Sequence, residues 1–247
     1  MKNAALAVEG AKLAGSNTYQ YFTAKMNDEM LARVELESSL RHAFERDEIE
    51  ANILPLTCMT SSSKFACTEN LFVLDLVWSH PRFGCDTRTL LSLYERHGAL
   101  DLYSEMLLGI LDQFISQAPN GAVLVVPASL RFCTVEALYQ RFEGILSNGR
   151  RDMIYWMLQE DGLDRVLSRQ KHGDMAPAPE WMKLGLDGQG RNYFSQAFAQ
   201  LELQFVVVAD SCEAMGAKQL VMHRAFIDMV SELDIAVLMP TTNNQAE

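Results

Sequence analysis

Between residues 48 and 239 the chain alternates short, continuous apolar runs with amphipathic helical stretches, and this alternation limits the fold more than any other feature. It predicts strands at Ile49–Leu56, Leu71–Trp78, Ala122–Val126, Asp152–Leu158, Met182–Asp187, Gln204–Ala209 and Ile235–Met239. Between them it predicts helices at Arg88–Gln117 (two, parted around Gly98), Thr134–Leu146, Gly162–Gln170, Asn192–Leu201 and Ala214–Leu233. Strands that are apolar at consecutive positions are buried on both faces, which calls for a parallel sheet covered by helices. The expected fold class is α/β: a TIM-like (β/α) barrel, or an open doubly wound sheet if the strands fail to close. Seven strands are recognisable rather than eight, and only polar chain follows Met239. The barrel is therefore expected to be incomplete. A helix, the segment Thr18–Phe22 or a partner chain should cover the gap beside the seventh strand, because an uncovered edge invites association.

The 247 residues, 49% of them hydrophobic, suffice for one large domain and a short appendage. A formal net charge of −11 repels phosphate-rich polymers and gives no attraction to an anionic membrane, so neither nucleic acid nor membrane contact is expected. The five cysteines are odd in number and without CxxC spacing, which reads as reduced thiols in a cytoplasmic chain. No apolar run reaches the length of a membrane span; the segment is equally compatible with being the cytoplasmic part of a larger, anchored protein. Ahead of the alternation lie a helical stretch over residues 1–13, a short β-rich run over 18–22, and a helix from Asn27 or Asp28 to about Arg46. That last helix has two apolar rows, Met26/Met30/Val34 and Leu36/Leu40/Phe44, on different faces, and so is expected to touch two things.

The run Leu71–Pro81, with Trp78, His80 and Pro81 at its end, resembles the signature strand of the EAL-domain family of cyclic-di-GMP phosphodiesterases, Glu-Ala-Leu-Leu-Arg-Trp-x-His-Pro. The connecting helix, with Val34–Ser38 and Leu40–Arg46, is similar to that family's leading segment. Residues 3–22 look like the last helix and strand of a GGDEF domain. The resemblance implies three parts: residues 1–25 as a GGDEF-like remnant, 26–47 as the connecting helix, and 48–247 as an EAL-like barrel.

The working positions that the resemblance maps are almost all altered. The metal-ligating glutamate falls at Val73 and the signature arginine at Val77. The first-strand glutamine is Leu54 and the metal-binding asparagine Pro127. The first glutamate of Glu-x-Thr-Glu is Met157, and Asp-Asp-Phe-Gly becomes Asp187-Gly188-Gln189-Gly190. Lys-x-Asp becomes Val208-Ala209-Asp210, and Glu-Gly-Val-Glu begins at Pro240. Only Asp187 and Asp210 are retained. Hydrolysis in that family needs a pair of divalent ions, and hard cations need several oxygen ligands. The expectation is thus a catalytically inactive module in cyclic-di-GMP signalling with no cofactor, acting through a protein partner or as a homodimer. The alternatives, in order, are a non-hydrolysing cyclic-di-GMP receptor and a weak phosphodiesterase; Arg191 and Arg131 are the candidate charges for ligand contact, weighed against ordinary surface arginines.

Other residues receive plainer readings. By strand alternation Asp75 shares the inner face with Val73 and Val77, and is expected to be a hydrogen-bonded core carboxylate rather than a relocated acid. His80 is expected to support the turn with Pro81, and His223 to belong to an amphipathic helix. Ser129 and Cys133 have no base at a telling spacing. Gly185, Gly188 and Gly190 only superficially resemble a phosphate cradle.

Overall fold

The computed structural model describes residues 24–60, 62–65, 68–146, 150–159, 163, 167–168, 177–188, 201–208 and 217–241. The predicted elements at residues 1–22, at 192–200 and over most of 162–170 lie outside them. The chain divides into two units, Met1–Glu48 and Ile49–Glu247.

In the first unit, helix α1 (Ala24–His42) begins and ends a few residues earlier than the sequence suggests. Asp47 adopts a left-handed φ of 54°, a conformation that aspartate tolerates better than most residues. The N–H of Glu48 then donates to the carbonyl of Ala43, so the last turn closes before Arg46 can extend the helix.

In the second unit, strands β1 (Ile49–Cys58), β2 (Leu71–Trp78), β3 (Val123–Ala128), β4 (Ile154–Leu158), β5 (Lys183–Asp187), β6 (Leu203–Val207) and β7 (Ala236–Pro240) form a closed barrel in sequence order. All neighbours are parallel except β1, which runs antiparallel to both β2 and β7. The gap expected beside the seventh strand is therefore closed by the barrel itself. A direct β1–β2 connection without a helix reverses β1, and the reversed strand meets β7 at Leu56↔Pro240, Thr57↔Met239 and Cys58↔Leu238.

Alternation along the strands sorts the interior. Leu71 and Val73, Val123 and Val125, Tyr155 and Met157, Phe205 and Val207, and Ala236 and Leu238 pack together inside the barrel. The β1–β2 loop adds Phe65, 3% exposed, whose ring meets those of Tyr155 and Phe205 at centroid distances of 4.9 and 5.5 Å. That loop is tied down by Asp234, the residue before the run into β7. Its carboxylate accepts from the Ser63 N–H (2.8 Å) and the Ser63 hydroxyl, while its carbonyl accepts from Ser62 Oγ (2.8 Å). Gly185 is where the interior demands a glycine: a Cβ there would fall inside the Phe205 ring.

Helices α2 (Thr87–Arg96), α3 (Leu100–Gln117), α4 (Leu130–Thr134), α5 (Glu136–Ile145) and α6 (Ala217–Glu232) flank the strands. The long helical stretch is parted where the sequence suggests, at Gly98, whose φ is 63°. Along β3 and β4, outward residues are as buried as inward ones. Trp156, fully buried, packs its ring against Phe132 of α4 and Phe142 of α5 at 5.5 and 5.2 Å. Pro127 sits in β3 without breaking the ladder, because β2 pairs with β3 only from Leu71↔Val123 to Val73↔Val125 and ends before Pro127's missing N–H would be needed. Its carbonyl accepts from the Tyr103 hydroxyl of α3 at 2.8 Å.

One cysteine expectation is corrected: Cys58 is disulfide-bonded. Cys85 and Cys133 are free. No helix among the described residues is long and apolar enough to cross a membrane.

Candidate functional site

Strand C-termini and the loops that follow them form the working mouth of a parallel barrel. At this mouth lies a cavity of about 250 Å³. Its wall is apolar: Leu54 of β1, Val73 and Leu74 of β2, Met157 of β4, Val207 of β6 and Pro240 of β7. Its polar lining is Asp75, Asp86, Thr87, Arg88, Gln159 and Asp187.

The polar groups are engaged with one another. Asp187, at the end of β5, is buried and receives two hydrogen bonds on Oδ2 from Arg88, at 2.6 Å from Nη2 and 3.2 Å from Nε. Arg88 stands in the first turn of α2 because Asp86 caps that helix, its carboxylate accepting from the Thr89 N–H at 2.9 Å. The bonds from Thr89 hold the Asp86 carboxyl below the usual carboxylate range. Thr87, next in line, donates from Oγ1 to Asp75 Oδ1 at 2.6 Å and accepts from the Leu76 N–H at 2.6 Å. Asp75 is thus half-buried at the rim rather than deep in the core, since β2 ends its pairing with β3 two residues earlier. It is hydrogen-bonded as the sequence suggests.

Leu54, Val73, Met157, Pro240 and Asp187, five of the positions mapped from the sequence, converge on this cavity. Four do not line it. Val77 faces Glu50 across the β1–β2 ladder. Pro127 pairs with Met157. Gly188 donates its N–H to the Val207 carbonyl at 2.7 Å, and Val206 leaves no room for a Cβ there. Val208 is buried on the outward side of β6, its N–H donating to Leu238, so Val207 is the β6 side chain at the mouth. Asp210 and Arg191 lie outside the described residues. Arg131 is exposed on α4 beside Glu95 and does not line the cavity.

Sequence reasoning missed Arg88 and Thr87. The signal was present in Asp86-Thr87-Arg88, a capping residue opening a helix just after the signature strand, which places the first helical side chains over the mouth. The turn before it is held by His80, whose Nδ1 accepts from the N–H groups of Arg82 and Phe83 at 3.2 and 3.1 Å. A Cβ on Gly84 would press on the carbonyls of His80 and Trp78.

Nucleophiles near the mouth are committed to structure. Ser129 caps α4, accepting from the Phe132 N–H at 3.2 Å. Burial pushes the thiol of Cys133 far up and that of Cys85 to about 11, which keeps both in the unreactive thiol form near neutral pH. His223 is buried on α6.

Among the described residues no group of three or more His, Cys, Asp or Glu side chains is placed to hold a metal ion, and at the mouth Val73, Met157 and Val207 offer no oxygen while Asp187 is paired with a guanidinium.

No family model and no curated protein matches the chain. Solved structures do. One is a phosphodiesterase, PaMucR, in complex with cyclic di-GMP, at 15% identity, covering 82% of this chain and 85% of that one, with a TM-score of 0.57. Another is the EAL domain of Xanthomonas citri FimX in complex with cyclic di-GMP, at 13% identity, 85% and 84% coverage and a TM-score of 0.55. A third is a Vibrio cholerae LapD segment of S helix, GGDEF and EAL, at 10% identity and a TM-score of 0.56; the chain covers half of it. The fold is that of EAL domains.

Proposed function

We propose that this chain is a non-catalytic EAL-type module of cyclic-di-GMP signalling that acts through association with protein rather than by hydrolysis. The observation that carries the reading is the pairing at the mouth: Arg88 occupies Asp187, the one described acid that the family resemblance retains, while Leu54, Val73 and Met157 turn hydrocarbon into the same cavity. With Asp75, Asp86 and Asp187 against Arg88, the described lining of the cavity carries net negative charge, which opposes a ligand with two phosphates. The retained parts, the apolar strands and the His80 turn, are those that folding requires.

A second reading, a non-hydrolysing receptor, is favoured by one observation. The Arg88 side chain is 39% exposed at the mouth and could re-aim toward a phosphate. Incubation with cyclic di-GMP and excess magnesium or manganese, followed by chromatography of the nucleotides, tests the catalytic claim. The cyclic dinucleotide should be recovered intact; a linear product formed in proportion to protein, and lost in a Asp187→Asn variant, would overturn it.

A further inference from the structure

Gln159 stands outside the bonding that ties up the other polar groups of the mouth. Alternation turns Leu71 and Val73 of β2, and Tyr155 and Met157 of β4, into the barrel. The next residues of the same phase, Asp75 and Gln159, therefore turn inward at the mouth, and both line its cavity. Gln159 is 6% exposed. Its backbone N–H donates to the Ala128 carbonyl at 3.1 Å, but its side-chain amide has no hydrogen-bond partner among the described residues. Buried amides are seldom left so, because an unmade bond costs more than a made one contributes.

The neighbouring groups define what would complete it. Asp75 takes one bond, from Thr87 to Oδ1, and among the described residues its Oδ2 has no partner. Asp187 holds Arg88, while neither Asp75 nor Asp86 has an ion pair among the described residues. The missing charge is thus positive. Around these acceptors the wall is hydrocarbon, from Leu54, Val73, Met157, Val207 and Pro240.

We propose that the cavity receives a primary alkylammonium group, that of a lysine side chain carried by a partner protein. The proposal names a contact for the association role given above and rests on that reading. The alkyl stem lies along the apolar wall and the charge meets Asp75 Oδ2 and the Gln159 amide oxygen. An ammonium, a compact charge with three donors, reaches acceptors on separate strands, here β2 and β4 with β3 between them. A planar guanidinium suits a single carboxylate, and Arg88 already holds Asp187 in that way. The chain's net charge of −11 favours approach of a basic partner.

Titration of the isotopically labelled chain with n-butylammonium, followed by two-dimensional NMR, reads the Gln159 side-chain amide directly. Its signals should shift saturably at millimolar probe, with n-butanol and n-propylguanidinium binding at least about fivefold more weakly. A blocked tripeptide with a central lysine should bind at least as well as the free amine. Gln159→Leu and Asp75→Asn should each weaken the amine by about fivefold or more. The comparison of probes on the unaltered chain decides even if a variant fails to fold. No saturable shift with the amine, equal binding of amine and alcohol, or shifts confined to residues away from the cavity would each overturn the site. Binding of the amine with exclusion of the lysine peptide would overturn the protein source and give the cavity to a small free amine. Cyclic di-GMP added to a parallel sample reports separately on the underlying reading: a response to it contradicts that reading, whereas silence toward the amine alone ends this proposal and leaves the reading in place.

Discussion

Arg88 and Asp187 are ninety-nine residues apart and meet at 2.6 Å, the guanidinium giving two bonds to one carboxylate oxygen. Asp187 is buried and Arg88 half-exposed, so the pair is unequal: removing the arginine takes a charge partner from a buried carboxylate, whereas removing the carboxylate acts on an arginine that already reaches water. Arg88→Ala should lower stability by about 1–2 kcal/mol, and Asp187→Asn by less. Urea denaturation of both variants checks the order, and equal effects would count against the pairing.

Asp86 supplies the cap that places Arg88. Asp86→Ala should cost about 1 kcal/mol, and its dependence on pH has a definite sign. The folded carboxyl lies below its ordinary value of 3.8, so its stabilisation is fully present above that value and is lost as pH falls through the lower, folded one. The stability difference between the native chain and Asp86→Ala should therefore be constant from neutral pH down to about pH 5 and shrink below about pH 4. A difference that grows on acidification contradicts this assignment.

Gly185 and Phe205 form a small-to-large pair across β5 and β6. Gly185→Ala drives a methyl into the ring and should destabilise by about 1–3 kcal/mol. Adding Phe205→Leu to it should cost less than the sum of the two single changes, because the smaller side chain vacates that space. Additive losses would show that the ring is not what excludes the methyl.

Tyr103 is fully buried and bonds the Pro127 carbonyl; burial holds its phenol far above the ordinary tyrosine range. Tyr103→Phe should cost about 1–2 kcal/mol by leaving that carbonyl unpaired. In an alkaline spectrophotometric titration one tyrosine fewer should ionise in the folded protein than in urea for this residue alone, and the variant should lose that difference.

Much of the barrel was legible in the sequence because its strands are buried on both faces. Leu71–Trp78 was recovered to the residue, and Gly98 marked the break between α2 and α3. β1 ran past its expected end at Leu56 because Pro55 sits where β7 is only beginning to pair, so its missing N–H costs no bond. The closure of β7 onto β1 was not legible. It depends on the reversal of β1, and nothing local to Ala236–Pro240 announces an antiparallel neighbour from 180 residues earlier. At the mouth, three positions mapped from the family resemblance, Leu54, Val73 and Met157, line the cavity, whereas on the β6 side it is lined by Val207 and not by the mapped Val208. Arg88 escaped notice because its meaning lies in a partner on another strand.

The central claim, that this cavity no longer serves the dinucleotide, meets its most direct test in calorimetric titration of the chain with cyclic di-GMP, with and without magnesium. The account predicts no saturable heat in either condition. Saturable binding at micromolar ligand, weakened by Arg88→Ala, would contradict it and make the chain a receptor.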